Sequence, residues 1–201
     1  MSVTVDAASG VEVVLPRRAR ERDAASAVRE LRPWIERRLR SLERARAELG
    51  LRPGFVPYLG DALPLRAEPG RARVARRDGT LLVPGGDPRP ALERWYRRRA
   101  REEIEPRLRR ACALTGHELH SLSIRGQRTR WASCSPTGAM SFNWRLLLAP
   151  EPVLDTVVWH EVCHLDVPDH SRRFWALLDR RQPEHREHQR WLRRYGPLLT
   201  L

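Results

Sequence analysis

Apolar and polar residues alternate along the first fifty positions in a pattern that predicts one strand followed by one long helix. The stretch 11–15, VEVVL, has the alternation typical of a strand. Residues 23–49 have helical spacing, with Asp23 as a candidate N-cap. Pro33 lies within this stretch and has no amide hydrogen, so we expect the helix to break or restart there.

Glycine and proline then punctuate short β-like segments before a second long helix. Residues 55–85 contain these segments, and the dipeptide at 78–79, Asp-Gly, predicts a tight hairpin. Residues 89–115 form the second predicted helix, which we expect to end near Gly116. Its arginines and glutamates recur at helical spacing, which is typical of a solvated face.

From residue 119 the pattern changes to shorter elements. Residues 119–150 predict two or three strands, with Ser-Pro-Thr-Gly at 135–138 as a turn. A helix with Pro152 in its first turn then runs to about Leu165. Two further helices are predicted, one from about Ser171 and one over about 184–194.

Length and composition bound the kind of protein that this sequence forms. A chain of 201 residues with 41% hydrophobic residues can bury one good core, with room for a subdomain. No apolar run approaches the roughly 18 residues of a membrane span, and the N-terminus lacks the pattern of a signal peptide. Three cysteines are too few for a disulfide framework, so we expect a cytoplasmic location.

The formal net charge of +13 would attract polyanions, but its make-up weakens that indication. All 38 basic residues are arginine, in a chain rich in alanine and proline, which is the pattern of a GC-rich genome. Much of this arginine is therefore expected on solvated surfaces. Because no recognition motif accompanies the charge, we expect only weak, non-specific binding of nucleic acid or nucleotides.

One short motif, His-Glu-Val-Cys-His at 160–164, carries the strongest indication of chemistry. On a helix, His160 and His164 lie about 40° apart, so both imidazoles project from one face, and Glu161 flanks them. An apolar stripe on the opposite side would anchor the helix in a core: Leu154, Val158, Val162 and Leu165. Imidazoles buried without a partner are costly to desolvate, and a bound cation removes that cost.

His170 is the candidate for a third ligand. Catalytic zinc commonly takes three protein ligands and leaves a fourth position for water. A turn around Pro168 would bring His170 back towards the helix. The alternative is that His170 caps the next helix. We expect one Zn²⁺ per chain, bound by His160, His164 and His170.

The remaining histidines and cysteines have weaker claims to chemistry. Four histidines lie in two pairs that each lack a carboxylate placed for catalysis, and we expect them at the surface: His117, His120, His185 and His188. Cys163 faces away from the two motif histidines, as a packed thiol would. Cys134 has no histidine close to it in sequence, which counts against a nucleophile.

Three segments within residues 125–197 carry a resemblance to a known family: RTRWASCSPTGAMSFNWRLLLAP, LDTVVWHEVCHLDVPDHSRRFWALL and PEHREHQRWLRRYGP. Together they resemble the YgjP-like metallopeptidases, a cytoplasmic branch of the zincins related to the SprT/Spartan-like proteases. Their combination of W-x-S-C-S, N-W-R-L, H-E-x-C-H-L and H-S-x-x-F-W is more specific than the zinc motif alone. The residues before 125 resemble the family more loosely.

The resemblance implies an α+β fold in two portions. Residues 119–201 would form a zincin-like, metal-binding catalytic core with a small sheet and the H-E-x-x-H helix. Residues 1–118 would form an N-terminal α/β portion with a strand, long helices and a hairpin. The chain departs from the family at Asp169, usually Asn, and at Ala132, commonly Gly. Neither residue is a ligand.

The resemblance also assigns roles within the motif. It implies zinc on His160, His164 and His170, and Glu161 as the base that activates water in a peptidase. Zincins pair an extended substrate with an edge strand beside the metal, and residues 139–148 are the candidate strand here. Asn143 and Arg145 are candidate substrate-binding residues, although a turn would explain Asn143 equally well.

Two other functions stay open on the sequence. A phosphoanhydride such as a nucleoside triphosphate would meet the same metal and base, with arginines to hold its phosphates: Arg125, Arg128, Arg130 and Arg145. Imidazole ligands favour zinc over magnesium, which counts against this hypothesis. The other function is a protease module associated with nucleic acid, as the SprT-like resemblance suggests.

Overall fold

A computed structural model of the chain describes residues 2–6, 10–16, 20–127 and 129–201. The chain has two compact units, residues 1–51 with 193–200 and residues 52–192 with 201. Helices and small sheets are mixed in it, so the fold is α+β. The boundary that the sequence predicts between residues 118 and 119 lies within the second unit. The division of the chain there into an N-terminal portion and a catalytic core stays a prediction.

The first unit contains a hairpin and one long helix. Strands β1, Ser2–Asp6, and β2, Gly10–Val14, pair antiparallel, which confirms the predicted strand. Helix α1 spans Glu21–Glu48. Its apolar stripe packs with β1 and with Leu198 in a core of five buried residues: Val5, Ile35, Leu42, Ala45 and Leu198.

Two expectations for α1 were wrong in detail. Asp23 is not the N-cap but lies in the first turn, where its carboxylate accepts a hydrogen bond from the Arg20 amide at 2.8 Å. Pro33 does not interrupt the helix. An interior proline costs about 3 kcal/mol, but burial of side chains such as Ile35 and Leu42 contributes about 1.5–3 kcal/mol each. Tertiary packing therefore outweighs the local break.

The second unit begins with a four-stranded sheet. Its strands are β3, Phe55–Tyr58, β4, Asp61–Glu68, β5, Ala75–Arg77, and β6, Thr80–Pro84, in the order β3-β4-β6-β5. The predicted hairpin is confirmed, because Asp78 and Gly79 have φ values of 47° and 76° between paired strands. Helix α2, Arg89–Leu114, follows, and Gly116 lies just beyond its end.

A second sheet, of three strands, precedes the motif at 160–164 in the second unit. Its strands are β7, Ser121–Arg125, β8, Ala132–Cys134, and β9, Ala139–Asn143. The order is β7-β9-β8, with β9 parallel to β7 and antiparallel to β8. Residues 139–148 therefore do not provide an edge strand: β9 is paired on both sides, and Trp144–Leu148 form a 3-10 helix. The edge strand on that side is β8.

Three helices complete the second half of the chain. They are α3, Glu151–Cys163, α4, Arg172–Arg181, and α5, His185–Tyr195, close to the predicted positions. The predicted stripe on α3 is buried at Leu154, Val158 and Val162. Among the described residues, no helix combines the length and apolar character needed to cross a membrane.

Candidate metal centre

The end of α3 and the turn after it bring three histidines together. His160 lies in the last turn of α3, and His164 is the residue at which the helix stops. His170 follows six residues later, just before α4. One ring nitrogen from each histidine lies within 4.8 Å of those of the other two. The buried stripe of α3 faces the core, so its opposite face is free to present these rings.

Polar contacts of all three rings show where their nitrogens point. His164 Nδ1 lies 3.1 Å from the carbonyl oxygen of Val167. Because a carbonyl can only accept, Nδ1 carries the hydrogen, and Nε2 keeps the lone pair that a metal requires. His160 Nε2 and His170 Nε2 approach to 3.0 Å, so these two nitrogens point towards one place.

The distance between one pair of donors and the protonation of two rings are compatible with a bound metal ion such as zinc. Two nitrogens that each lie 2.0–2.1 Å from a tetrahedral zinc are about 3.3 Å apart, close to the separation of the His160 and His170 nitrogens. Burial, aided by the neighbouring histidines, lowers the pKa of His160 to about 3. Burial also lowers the pKa of His164. Both imidazoles thus stay neutral near pH 7, which is the form that binds a metal.

A single buried ring, Phe174, forms the floor beneath all three histidines. Its centroid lies 4.9 Å from that of His160, 4.5 Å from that of His164 and 4.8 Å from that of His170. The His164 ring stacks on it, and the other two meet it edge to face. In the sequence, Phe174 stands out only as the phenylalanine of the H-S-x-x-F-W segment, four residues after His170, and its place beneath the rings was not predicted.

Glu161 is buried beside the histidines and has a shifted pKa. Its side chain is 5% exposed, and burial raises its pKa to about 7. The Cys134 amide, which donates a hydrogen bond to it, and the charge of Arg130 act in the opposite direction. Such a carboxyl can accept and release a proton near neutral pH.

Glu161 and the three histidines share one cavity of about 310 Å³. Its other walls come from β8, the turn after it and the turn before His170: Ala132, Ser133, Cys134, Ser135, Pro136 and Pro168. A pocket with a carboxyl of near-neutral pKa beside a triple-histidine group can bind a metal and move a proton at the same place.

Comparison with known families decides the class of protein. A family model described as YgjP-like, metallopeptidase domain, matches residues 1–195. The chain belongs to the YgjP-like family. No curated protein and no solved structure matched it. Membership supports a metal-dependent peptidase, and hence a hydrolase with a metal ion and a peptide or protein substrate.

The buried carboxyl makes the stability of the metal-free YgjP-like domain depend on pH. The pKa of Glu161 is raised from 4.5 to about 7. The favourable contribution of this side chain to the free energy of unfolding is therefore complete below pH 4.5 and is lost as the pH rises through 7. We expect Glu161→Gln, relative to wild type, to gain up to about 3 kcal/mol over this interval. Urea unfolding of both proteins, with chelator present and at several pH values, measures the difference between their free energies of unfolding. The histidines contribute equally to both proteins, so their contributions cancel in this difference. Parallel curves would contradict it.

Two cysteines of the YgjP-like domain, Cys163 and Cys134, lie close to the histidine group. Cys163 is 3% exposed and packs with Val167, Phe174 and Leu178, which confirms the packed thiol. Cys134 lines the cavity, where burial and then the charge of Glu161 raise its pKa to about 11. The Cys134 side chain is therefore a neutral thiol near pH 7, as the sequence led us to expect for a residue that is not a nucleophile.

The two candidate substrate-binding residues are Asn143, the last residue of β9, and Arg145, two residues further on. Asn143 is 2% exposed: its Nδ2 donates to the Gln127 carbonyl at 2.6 Å, and its Oδ1 accepts from the Arg145 amide at 3.1 Å. Arg145 donates to the Gly126 carbonyl and lies over the Trp144 ring. These bonds support the turn-forming explanation of Asn143. Substrate contact by either residue stays a prediction.

The pair His185 and His188 is not at the surface as expected. His185 is 1% exposed, with Nε2 2.8 Å from Asp179 Oδ1. The His188 side chain is 13% exposed, and its Nδ1 lies 2.7 Å from the hydroxyl of the buried Thr156 on α3. Whether a polar residue on α5 is buried depends on how that helix packs. The sequence alone does not give this packing.

Proposed function

We propose that this chain is a zinc-dependent peptidase with a zincin-like core. His160, His164 and His170 would hold the zinc ion, and Glu161 would be the general base. The observation that carries the proposal is the convergence of three ring nitrogens within 4.8 Å of one another, in the cavity that also contains the Glu161 carboxyl. The match to a metallopeptidase family supports the same reaction class.

The bound metal and Glu161 have different roles in the proposed reaction. When bound, zinc supplies a Lewis acid that lowers the pKa of a coordinated water towards neutrality and polarises the scissile carbonyl. Glu161 takes a proton from the attacking water and delivers it to the leaving amine. Burial raises the pKa of this carboxyl above its ordinary value in the metal-free protein, which favours its acceptance of a proton. The backbone of Cys134 lowers the pKa of this carboxyl, so it favours the carboxylate form that accepts the proton.

The outer edge of β8 is the proposed place for the substrate backbone. Hydrogen bonds join the Asn143 amide to the Trp131 carbonyl and the Ser135 amide to the Ala139 carbonyl. Because hydrogen-bonding direction alternates along an antiparallel strand, residues 131, 133 and 135 face β9, and Ala132 and Cys134 face away from it. The Cys134 backbone acts on the Glu161 carboxyl, so Ala132 is the residue that we propose to pair with an extended peptide.

Ala132→Pro tests this pairing, because it removes the outward amide hydrogen and leaves the hydrogen bonds to β9 in place. We expect a loss of roughly 2- to 12-fold in kcat/KM on peptides, the value of one net hydrogen bond, with zinc content unchanged. Ser133→Pro is the matched control: it removes an amide that faces β9 and should lower the melting temperature. Full kcat/KM in a stable Ala132→Pro protein would show that the substrate does not pair there.

Hydrolysis of a phosphoanhydride has less support than peptide hydrolysis. The residues found to line the cavity include no arginine. Arg145 is engaged with Gly126 and Trp144, and Arg128 lies outside the described residues. Of the arginines considered for phosphate binding, Arg130 is the one whose charge lowers the pKa of Glu161. Weak binding of nucleic acid stays a prediction from the charge.

Metal analysis combined with a substrate panel tests the proposed function. We expect close to one equivalent of zinc per chain, because three imidazoles leave one open position in a tetrahedral site. The zinc-loaded protein should cleave members of a peptide panel and leave nucleoside triphosphates intact. Release of phosphate or pyrophosphate without peptide cleavage would replace the proposal with the nucleotide hypothesis. A chain that binds no zinc would refute it.

A further inference from the structure

His170 is the member of the histidine group that no helix holds in place. It lies between α3 and α4, in a segment without regular secondary structure, and is exposed. Its ring must therefore be oriented by side-chain neighbours. One is Phe174, beneath all three rings; another is Trp175, whose centroid lies 5.6 Å from that of His170 at an interplanar angle of 31°.

Trp175 is held from a second direction by His185. The two rings stack with centroids 5.7 Å apart and an interplanar angle of 18°. His185 is buried, and its Nε2 donates to Asp179 at 2.8 Å, since a carboxylate accepts. Trp175 thus contacts a fixed, buried ring and an exposed ring in the loop.

The other nitrogen of His185 makes this arrangement costly. His185 Nδ1 is buried and has no hydrogen-bond partner among the described residues. A fully apolar ring would avoid the cost of desolvating that nitrogen, whereas imidazole alone provides both the bond to Asp179 and a flat face for Trp175. The bond fixes the plane of His185, and the stack transfers that orientation to Trp175.

We propose that Trp175 is a positioning residue for His170, and that the His185–Asp179 pair fixes Trp175. The proposal rests on the metal centre proposed above. A ligand whose ring is oriented before the metal arrives loses less conformational freedom on binding, so metal affinity depends on Trp175 although it binds no metal itself.

Metal affinity measured by chelator competition tests the proposal. We expect Trp175→Leu to weaken Zn²⁺ binding about 10- to 100-fold, as loss of an outer partner of a ligand does, and His185→Leu to act in the same direction. Trp175→Phe keeps a flat ring and should restore most of the affinity. The Co²⁺-loaded Trp175→Leu protein should also show an altered visible absorption spectrum. Trp34→Leu, at a tryptophan that is 41% exposed on α1, is the matched control.

A double variant separates positioning from general packing. In a His170→Ala background, Trp175→Leu should cause little further loss of zinc affinity, because the ring that it orients is gone. An equal loss in both backgrounds, or wild-type affinity and spectrum in Trp175→Leu, would overturn the proposal while leaving the metal centre intact. Absence of zinc binding in the wild-type protein would instead refute the centre itself. Thermal unfolding of each metal-free variant confirms that it folds.

Discussion

Glu161→Gln should bind zinc like the wild-type protein and lose about 10²- to 10⁴-fold in turnover, the usual contribution of a positioned acid–base group. Glutamine has nearly the same shape and can still accept a hydrogen bond from the Cys134 amide, but it cannot take a proton at neutral pH. Zinc content and the rate of peptide hydrolysis, measured on the same preparation, test both parts. Glu118→Gln, at an exposed glutamate, is the matched control and should retain full activity.

Each departure from this result has a distinct meaning. Loss of zinc together with activity would show that Glu161 supports the metal rather than the proton transfer. Unchanged turnover with zinc bound would show that another group is the base, and the proposed mechanism would fail. The pH dependence of unfolding expected for metal-free protein is independent of activity, so it tests the burial of Glu161 separately.

His164→Ala should have the largest effect on metal binding. It removes a ring whose tautomer is set by the Val167 carbonyl and whose face stacks on Phe174. We expect zinc affinity to fall by more than the roughly 100-fold that marks the upper range for an outer-shell partner, and hydrolysis to disappear with the metal. Equilibrium dialysis against a metal buffer measures the affinity. His120→Ala, at an exposed histidine, should leave it unchanged.

Stoichiometric zinc at wild-type affinity in His164→Ala would remove His164 from the proposed ligand set. Affinity that falls only as far as in Trp175→Leu would give His164 a supporting role instead. Comparing these two variants therefore ranks the ligands against the residues that orient them. The ranking does not depend on the substrate, so it stands even before the panel identifies a cleaved peptide.

Local patterns in the sequence determined the helices and the tight turns. The hairpin at Asp78 and Gly79 and the helix that presents His160, Glu161 and His164 depend on residues within a few positions of one another. Backbone sterics and a 3.6-residue period act over that same range, so spacing alone placed the motif on one helical face. The end of α2, at Leu114 just before Gly116, followed from the same local rules.

Features that depend on distant residues were decided only by the tertiary structure. Pro33 stays inside α1 because the helix packs along its length in the core of its unit. Strand β9 is central because β7, some twenty residues earlier, pairs with its other side. His185 is buried by residues that no local pattern connects to it. The position of Phe174 against the three histidine rings and that of Cys134 beside Glu161 belong to this class. The sequence contains these residues, but only tertiary packing brings them together.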